Sequence, residues 1–556
     1  MIRSQKYRNA SVRTVLPADK VLLYRMTGAE KLSEQFCFDV EVLSEDFNVD
    51  LDKVLGNPAT VSVEMDSLGK RHFNGVVGSA AQIGTVGELA LYKLTLRPWT
   101  WLLSHTSDCR VFQKMSVPEI VQKVCKDKHF TDFKLSLSRK YEKREYCVQY
   151  CESDLNFIDR LLESEGIYYY FDHEESKHTL ILADAPNSHE NIKQDPKIPY
   201  CAGNTNAKNF NYIHQWSVSH QVRPGQVVLG DFDFEKPKTE LKSVSKEKRD
   251  YTNSKFEYFD FPGGFTESKS GDIRARDRLD EFQSDFDTAT GSGCVLMLSS
   301  GRRFQLQEHP RKDQNREYLI TSASFSVHGD SYQAGGGSTG EPYSCSFSVM
   351  PSNQTYRPSR NTRTPRIYGV QTAIVVGKKN EEIWTDKHGR IKVQFHWDRY
   401  GKKDQDSSCW VRVAQTWAGK GWGTQQIPRI GQEVLVEFID GDPDRPLITG
   451  SVYNGDHAPP FTLPANATQS GIRSRSSAKG NAKTFNELRF EDKEGSEEIY
   501  FHAEKNFTRV VENNDSLKVG FDDKSDGNQV VDIYNDKTVT LENGNRKATI
   551  KKGNDS

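Results

Sequence analysis

Near its end the sequence reads Val539-Thr-Leu-Glu-Asn-Gly-Asn545-Arg-Lys and then, nine residues on, Ala548-Thr-Ile-Lys-Lys-Gly-Asn554-Asp-Ser. Each copy is a short strand pattern followed by Gly-Asn, and Val531-Asp-Ile533-Tyr-Asn-Asp-Lys is a looser copy upstream. Repeated short strands with tight turns predict a β-solenoid or prism. Each repeat offers only two or three apolar side chains. A single narrow ribbon would leave them wet and its edges unpaired. Winding identical tails around one axis removes both defects, so the sequence predicts a homo-oligomer, and a trimer is the simplest closed prism. Ile533, Val539, Leu541 and Ile550 are the candidate needle-core positions. Charged positions such as Lys518, Lys537, Glu542 and Lys551 keep such a shaft soluble.

The bulk of the chain agrees with a protein that buries apolar surface with help from partners. Only 35% of its 556 residues are hydrophobic and 27% are charged. The mean hydropathy of -0.71 is polar for this length, and roughly three to five domains are expected. A net charge of -2 gives no electrostatic case for nucleic acid or an anionic membrane. The nine cysteines are scattered. Cys147-Val-Gln-Tyr-Cys151 is the one close pair, and no second pair completes a zinc site, so free buried thiols, made in a reducing cytosol, are expected. The basic N-terminus lacks an apolar signal-peptide core, and no run approaches the roughly 18 apolar residues of a membrane span. Export, if it occurs, needs a route other than a signal peptide.

Residues 1 to about 350 read as short strands, such as Val61–Glu64 and Leu91–Leu96, with three helices among them. Ser116-Val-Pro118-Glu119 is a capping box with proline early in the helix. A second helix runs from Ser153 to about Ser164, with Leu155, Ile158, Leu161 and Leu162 on one face and Gly166 ending it. A third is expected at 271–287, carrying Ile273, Leu279, Phe282 and Phe286. Residues 165–183 read as a hairpin around a polar turn. Residues 334–365 change to Gly, Ser, Pro and Asn, predicting a flexible insertion followed by a linker. From Arg366 to about Asp456 dense short strands suit a small OB-type barrel. Ile391, Val393, Phe395 and Trp397 alternate with polar residues there. Residues 457–483 read as a second linker.

Motifs for chemistry fail on their spacing. Asp440-Gly441-Asp442-Pro443-Asp444 begins like a calcium loop, but a calcium loop needs Gly sixth and Glu twelfth. Arg445 and Ser451 stand there. Asp440, Asp442 and Asp444 are read instead as a structural turn between strands, with Asp444-Arg445 as a local ion pair. His173 and His178 are five apart where a zinc helix needs four. Gly419-Lys-Gly421-Trp-Gly423 lacks a P-loop ending, no Gly-x-Ser-x-Gly elbow occurs, and Gly291-Ser-Gly-Cys294 reads as a turn. No catalytic residue, metal ligand or cofactor site is assigned, and no enzyme is expected.

Gln149-Tyr-x-Glu152-Ser153-Asp154-x5-Arg160-Leu-Leu162-Glu-x-Glu165-Gly166-Ile-Tyr-Tyr-Tyr-Phe171 closely resembles the hub signature of VgrG proteins. Residues 384–398, 409–418, 422–439 and 440–454 resemble that family's OB-fold region. Asn486–Asp492 with Ile499–Lys505 resembles the entry to its β-needle. The resemblance runs in order over nearly the whole chain. It implies a mainly β protein: a phage-hub-like β-barrel region (1–365), an OB-fold (366–456), a linker (457–483) and the start of an intertwined trimeric β-helix needle (484–556). It implies a homotrimeric spike of the type VI secretion machine, related to the hub and cell-puncturing proteins of contractile phage tails. Its expected partners are the Hcp tube, a PAAR-repeat tip protein, effector or adaptor proteins and baseplate components, with transient passage through target membranes and no nucleic acid. Such a protein assembles in the bacterial cytoplasm and is injected without a signal peptide. The alternative is the tail hub of a contractile phage or tailocin. Two departures from the phage pattern stand out. No lysozyme-sized insertion separates barrel from needle, and the sequence stops at Ser556 inside a repeat, so either the needle is short or the chain continues.

Overall fold

The computed structural model describes residues 4–65, 69–193, 195–202, 211–329, 342–520 and 527–553. They fall into two compact units, residues 1–458 and 459–556.

The first unit is built on a 12-stranded sheet. Its strands form where apolar and polar residues alternate. In Leu89–Arg97, Ala90, Tyr92, Leu94 and Leu96 are buried while Leu91, Lys93 and Thr95 are partly exposed. Ala10–Arg13, Pro58–Met65, Gly69–Val86, Leu89–Arg97, Cys37–Ser44 and Leu22–Lys31 lie side by side in that order. The buried Gln5 ties the first of these to the last. Its amide nitrogen donates to the carbonyls of Val12 and Val21, both at 3.1 Å. Its amide oxygen accepts from the Val12 and Leu23 N–H groups at 2.9 and 3.0 Å. One side chain therefore satisfies four backbone groups where two strands approach without a ladder.

Leu22–Lys31 also pairs with Glu317–His328, and the sheet continues through Tyr343–Pro351, Asp287–Gly293 and Ile213–His220. Asp287–Gly293 is thus an internal strand, where a turn was expected at Gly291. A Cβ on Gly293 would collide with the Tyr212 carbonyl, so glycine is set there by close approach rather than by a turn.

Three α-helices occur among the described residues. Helix α1 (Val117–Asp127) has the expected capping box, with Ser116 N–H donating to Glu119 Oε2 at 2.7 Å. Helix α2 (Asp154–Ser164) is capped by Ser153, whose Oγ accepts from Asn156 N–H. It ends at Gly166, where φ is +65° and a Cβ would sit 2.8 Å from Arg357. Helix α3 spans Ser268–Gln283, earlier than expected. It leaves Ile273 exposed and Phe286 outside the helix. Its buried residues include Asp277, Asp280 and Glu281, which pair with Arg139, Arg357, Arg276, Arg278 and Arg360. The apolar period misplaced this helix because much of its buried face is ionic.

The stretch read as an insertion and linker divides differently. Most of the glycine-rich part falls at 330–341, outside the described residues. Tyr343–Pro351 is an interior strand. Residues after it are pinned: Arg357 is buried, donates to the carbonyls of Gly166 and Asp184, and pairs with Asp277 at 3.0 Å.

Residues 367–452 close into a small barrel. Lys392–Phe395, Gln371–Val376, Glu433–Phe438, Pro446–Val452 and Arg412–Val413 form a five-stranded sheet in that order. Ile391 and Val411 bond reciprocally at 3.0 and 2.8 Å and join its two ends. Val375, Ile391, Val393, Val411, Val434, Val436 and Ile448 fill the interior.

The second unit holds one three-stranded antiparallel sheet, Gln469–Arg473, Glu487–Glu491 and Glu498–His502. The first strand lies in the stretch read as a linker. Its single large apolar residue, Ile472, gave no period to find. Beyond His502 no strand occurs among the described residues. Replacing Gln5 with Leu should strip four backbone groups of their partners and lower unfolding free energy by about 2–4 kcal/mol in a denaturant titration.

Candidate functional site

The residues that resemble a hub signature make buried polar and charge contacts at both ends of α2. Glu152 accepts from Arg160 Nε at 2.9 Å and from Nη2 at 2.7 Å, and Arg160 also donates to the Val148 carbonyl. Gln149, fully buried, donates to Asp154 Oδ1 at 2.7 Å, and Thr106 donates to Asp154 Oδ2. Glu165 pairs with Arg144 at 2.7 Å. These pairs hold the strand Cys147–Ser153 and the helix in one geometry. Bidentate arginine contacts suit that task because they fix direction as well as distance.

That strand also carries the barrel. Asp444 Oδ1 accepts from Val148 N–H at 2.6 Å across 296 residues of sequence. Tyr150 Oη accepts from Gln371 at 2.7 Å and its ring meets Trp397 edge-on. On the partnering strand Ser107–Phe112, Asp108 accepts from Arg399 at 2.7 Å and Tyr400 Oη at 2.6 Å.

The three aspartates therefore sit in different surroundings. Asp440 has φ +56° in the short turn Ile439–Gly441 and pairs with Arg445 at 3.2 Å. Asp442 Oδ1 accepts from Asp444 N–H at 2.9 Å, closing the turn. Asp444 leaves the turn and reaches the hub. The local pair is thus Asp440 with Arg445, not Asp444 with Arg445. Burial of the Asp444 carboxyl and the nearby Asp442 push its pKa up to about 7, against the pull of Arg144 and Arg160. Sequence could not show this role, since nothing local marks which aspartate faces away.

His173 and His178 are cross-strand neighbours at the ends of Tyr168–His173 and His178–Ala183, with the turn between them. Both are buried. His178 Nε2 accepts from Trp99 N–H at 2.8 Å, and its Nδ1 lies 2.8 Å from Asn74 Oδ1. Burial lowers its pKa to about 3 and that of His189 to about 4. Among the described residues no group of three or more His, Cys, Asp or Glu is placed to hold a metal. No described helix is long and apolar enough to cross a membrane.

A series of exposed apolar side chains lies in the second unit. On its sheet, Ile472, Leu488 and Phe501 form one cross-strand row and Phe490 faces Ile499 beside it. All five lie on one face, with Ile499 and Phe501 64% and 66% exposed. The opposite face sets Glu487, buried, against Arg473 and Arg489. Along the tail, Ile533, Val539, Leu541 and Ile550 are 49%, 58%, 54% and 51% exposed. Phe507, Val510, Leu517, Val519 and Val530 are exposed too. The nine-residue repeat did not reach these; the Leu517-Lys-Val519 alternation is the signal that could have found two of them. Isolated exposed apolar residues need no explanation, but a series of this length does.

Three family models match consecutive parts of the chain. They are the phage tail baseplate hub over residues 29–331, the type VI secretion system/phage-baseplate injector OB domain over 371–453, and the bacteriophage T4 gp5 C-terminal trimerisation domain over 470–556. The chain is 44% identical to the type VI secretion system spike protein VgrG1b of Pseudomonas aeruginosa, over 94% of this chain and 70% of that protein. It is 44% identical to VgrG1a of the same organism, over 93% and 80%. It is 37% identical to the actin cross-linking toxin VgrG1 of Vibrio cholerae, over 90% of this chain and 46% of that one. Among solved structures, the E. coli c3393 protein, a type VI secretion component similar to T4 gp27 and gp5, superposes with a TM-score of 0.57. That match has 21% identity and covers 80% of this chain and 99% of that one.

Substitution in the acidic turn should separate the reach of Asp444 from the exposed pair of Asp440 in denaturant melts of the full chain. Asp444→Ala should cost about 1–3 kcal/mol by orphaning the Val148 N–H, whereas Asp440→Asn, which suits the φ +56° turn and removes only an exposed ion pair, should stay within about 0.5 kcal/mol. His178 supplies a pH dependence. Its folded pKa lies below the unfolded value, so its contribution is full above pH ~6.5 and is lost as pH falls toward 3. Stability should drop by on the order of 2 kcal/mol by pH 5 from this group alone, and His178→Gln should flatten that slope.

Proposed function

Because the chain belongs to the VgrG family of type VI secretion spike proteins, we propose that three copies assemble into a spike whose work is mechanical. The observation that carries this reading is the run of exposed apolar side chains from Ile472 to Ile550 in a segment matched by a trimerisation domain. At about 25 cal/mol per Å² of apolar surface removed from water, even partial burial of these side chains against two other chains strongly favours assembly. Strands paired between chains leave no open edge, so the shaft resists local unfolding.

In this reading the hub and barrel form the base, which sits on the Hcp tube and contacts the baseplate. The needle carries a PAAR-repeat tip and effector or adaptor proteins toward the target cell. The spike is assembled in the bacterial cytoplasm and leaves by injection, crossing target membranes only in passage. The charge pairs around α2 support a base that transmits force, because they fix the strand that holds the barrel. No enzymatic step is assigned to these residues. The named activity of the Vibrio cholerae relative belongs to that protein, of which this chain spans 46%.

Sedimentation of the full chain at micromolar concentration should give a stable trimer. Val539→Asp combined with Leu541→Asp should reduce it to monomer, because three pairs of carboxylates would be buried without partners. The hub transition in the same sample should keep its midpoint. A wild-type monomer, or a double variant that remains trimeric, would sink the proposal.

A further inference from the structure

Cys109 and Cys151 face each other across the ribbon formed by Ser107–Phe112 and Cys147–Ser153. The register is regular on both sides but slips between Asp108 and Arg110, so that Tyr150 and Cys151 together oppose Cys109. This is a bulge, the weak point of a two-stranded pair. Cys151 holds it in the left-handed region at φ +47°, a conformation uncommon for a residue with a Cβ. Its N–H donates to Cys109 Sγ at 3.2 Å, and the two sulfurs are 3.4 Å apart. A disulfide sets its sulfurs about 2.05 Å apart, so the bond needs the two sulfurs to approach by only about 1.4 Å from their 3.4 Å contact. Cys151 is exposed and Cys109 half-buried, whereas Cys125, Cys147 and Cys345 are buried in the core.

We propose that Cys109 and Cys151 are a disulfide site that closes when the protein meets an oxidising environment, stapling the hub ribbon where it grips the barrel. The residues beside the two sulfurs make the grip: Asp108 accepts from Arg399 and Tyr400, and Tyr150 accepts from Gln371. A covalent bond across the bulge fixes both strands at that point.

The oxidant is a small-molecule disulfide. Exposed Cys151, as thiolate, attacks one of its sulfurs and forms a mixed disulfide, expelling one small thiolate. Cys109, as thiolate, then attacks Cys151 Sγ and expels the second. One protein S–S bond forms and the small disulfide's S–S bond is broken. Two electrons pass to the small molecule, and the two cysteine protons end on the two released thiols. Exposure assigns the order: Cys151 is open to solvent and meets the small disulfide first, while Cys109 is half-buried behind it, where burial raises its thiol to about 11. The cross-link itself needs only the folded hub and does not depend on the spike reading.

The test is peptide mapping of the full chain under non-reducing conditions after exposure to graded oxidised and reduced glutathione. The expected result is a Cys109–Cys151 linked peptide, a mass lower by two hydrogen atoms and loss of two of the nine titratable thiols. The hub melting transition should rise by a few degrees on oxidation, and in Cys109→Ser or Cys151→Ser it should no longer respond. Folded wild-type protein that yields no linked peptide in excess oxidised glutathione overturns the proposal. So does glutathione retained stably on Cys151, or a linked protein whose hub melts as the reduced one does.

Discussion

The tail of this chain has no interior of its own. Side chains such as Val539 and Leu541 recur at strand spacing, yet the segment is too narrow to fold over them, and half or more of each remains in water. The sheet that precedes the tail repeats the situation, with charge pairs on one face and a bare apolar patch on the other. Free energy left unrecovered within one molecule can be recovered between molecules, and the repeat makes the recovery periodic along an axis. A shaft built this way has its stability tied to its stoichiometry. Losing one strand of the three would expose the apolar faces of the other two.

The first unit answers a different demand. Its joints are made by arginines and carboxylates held out of water: Arg160 with Glu152, Arg357 with Asp277, Arg144 with Glu165. Buried pairs of this kind add little net stability, because desolvation cancels much of the attraction, but breaking one strands a charge. They therefore act as latches with a preferred alignment. The Gln5 amide, bridging two strands, belongs with them: a polar group used to define position rather than to add burial.

Much of the fold is legible in the sequence where a period controls burial. The capping box at Ser116, the helix after Ser153 and the hairpin around residues 174–177 follow from local chemistry. Barrel alternation holds in Glu433–Phe438 but breaks at Gln394, which is buried beside Val393 and Phe395 and donates to the Asp398 carbonyl. The misses share a cause. Helix α3 is displaced because acids occupy its buried face, so hydrophobic spacing points to the wrong residues. Gly291 and Gly293 read as a turn, yet they are glycine because another chain segment passes close by, a fact invisible along the sequence. Asp440, Asp442 and Asp444 are identical as letters, and only the third dimension shows that one of them reaches Val148.

The central sheet joins parts of the chain that are made far apart in time. Leu22–Lys31 finds one neighbour at Cys37–Ser44 and the other only at Glu317–His328. On a ribosome adding about 5–20 residues per second, the strand's free edge would wait roughly 15–60 seconds for its second partner. During that interval it presents a row of unpaired backbone groups of the kind that recruits other chains. Crowded polysomes making this protein would hold many such edges close together. Synthesis therefore calls for early shielding of the N-terminal strands, whether by a holding chaperone or by slow local pairing, long before there is a complete hub to protect.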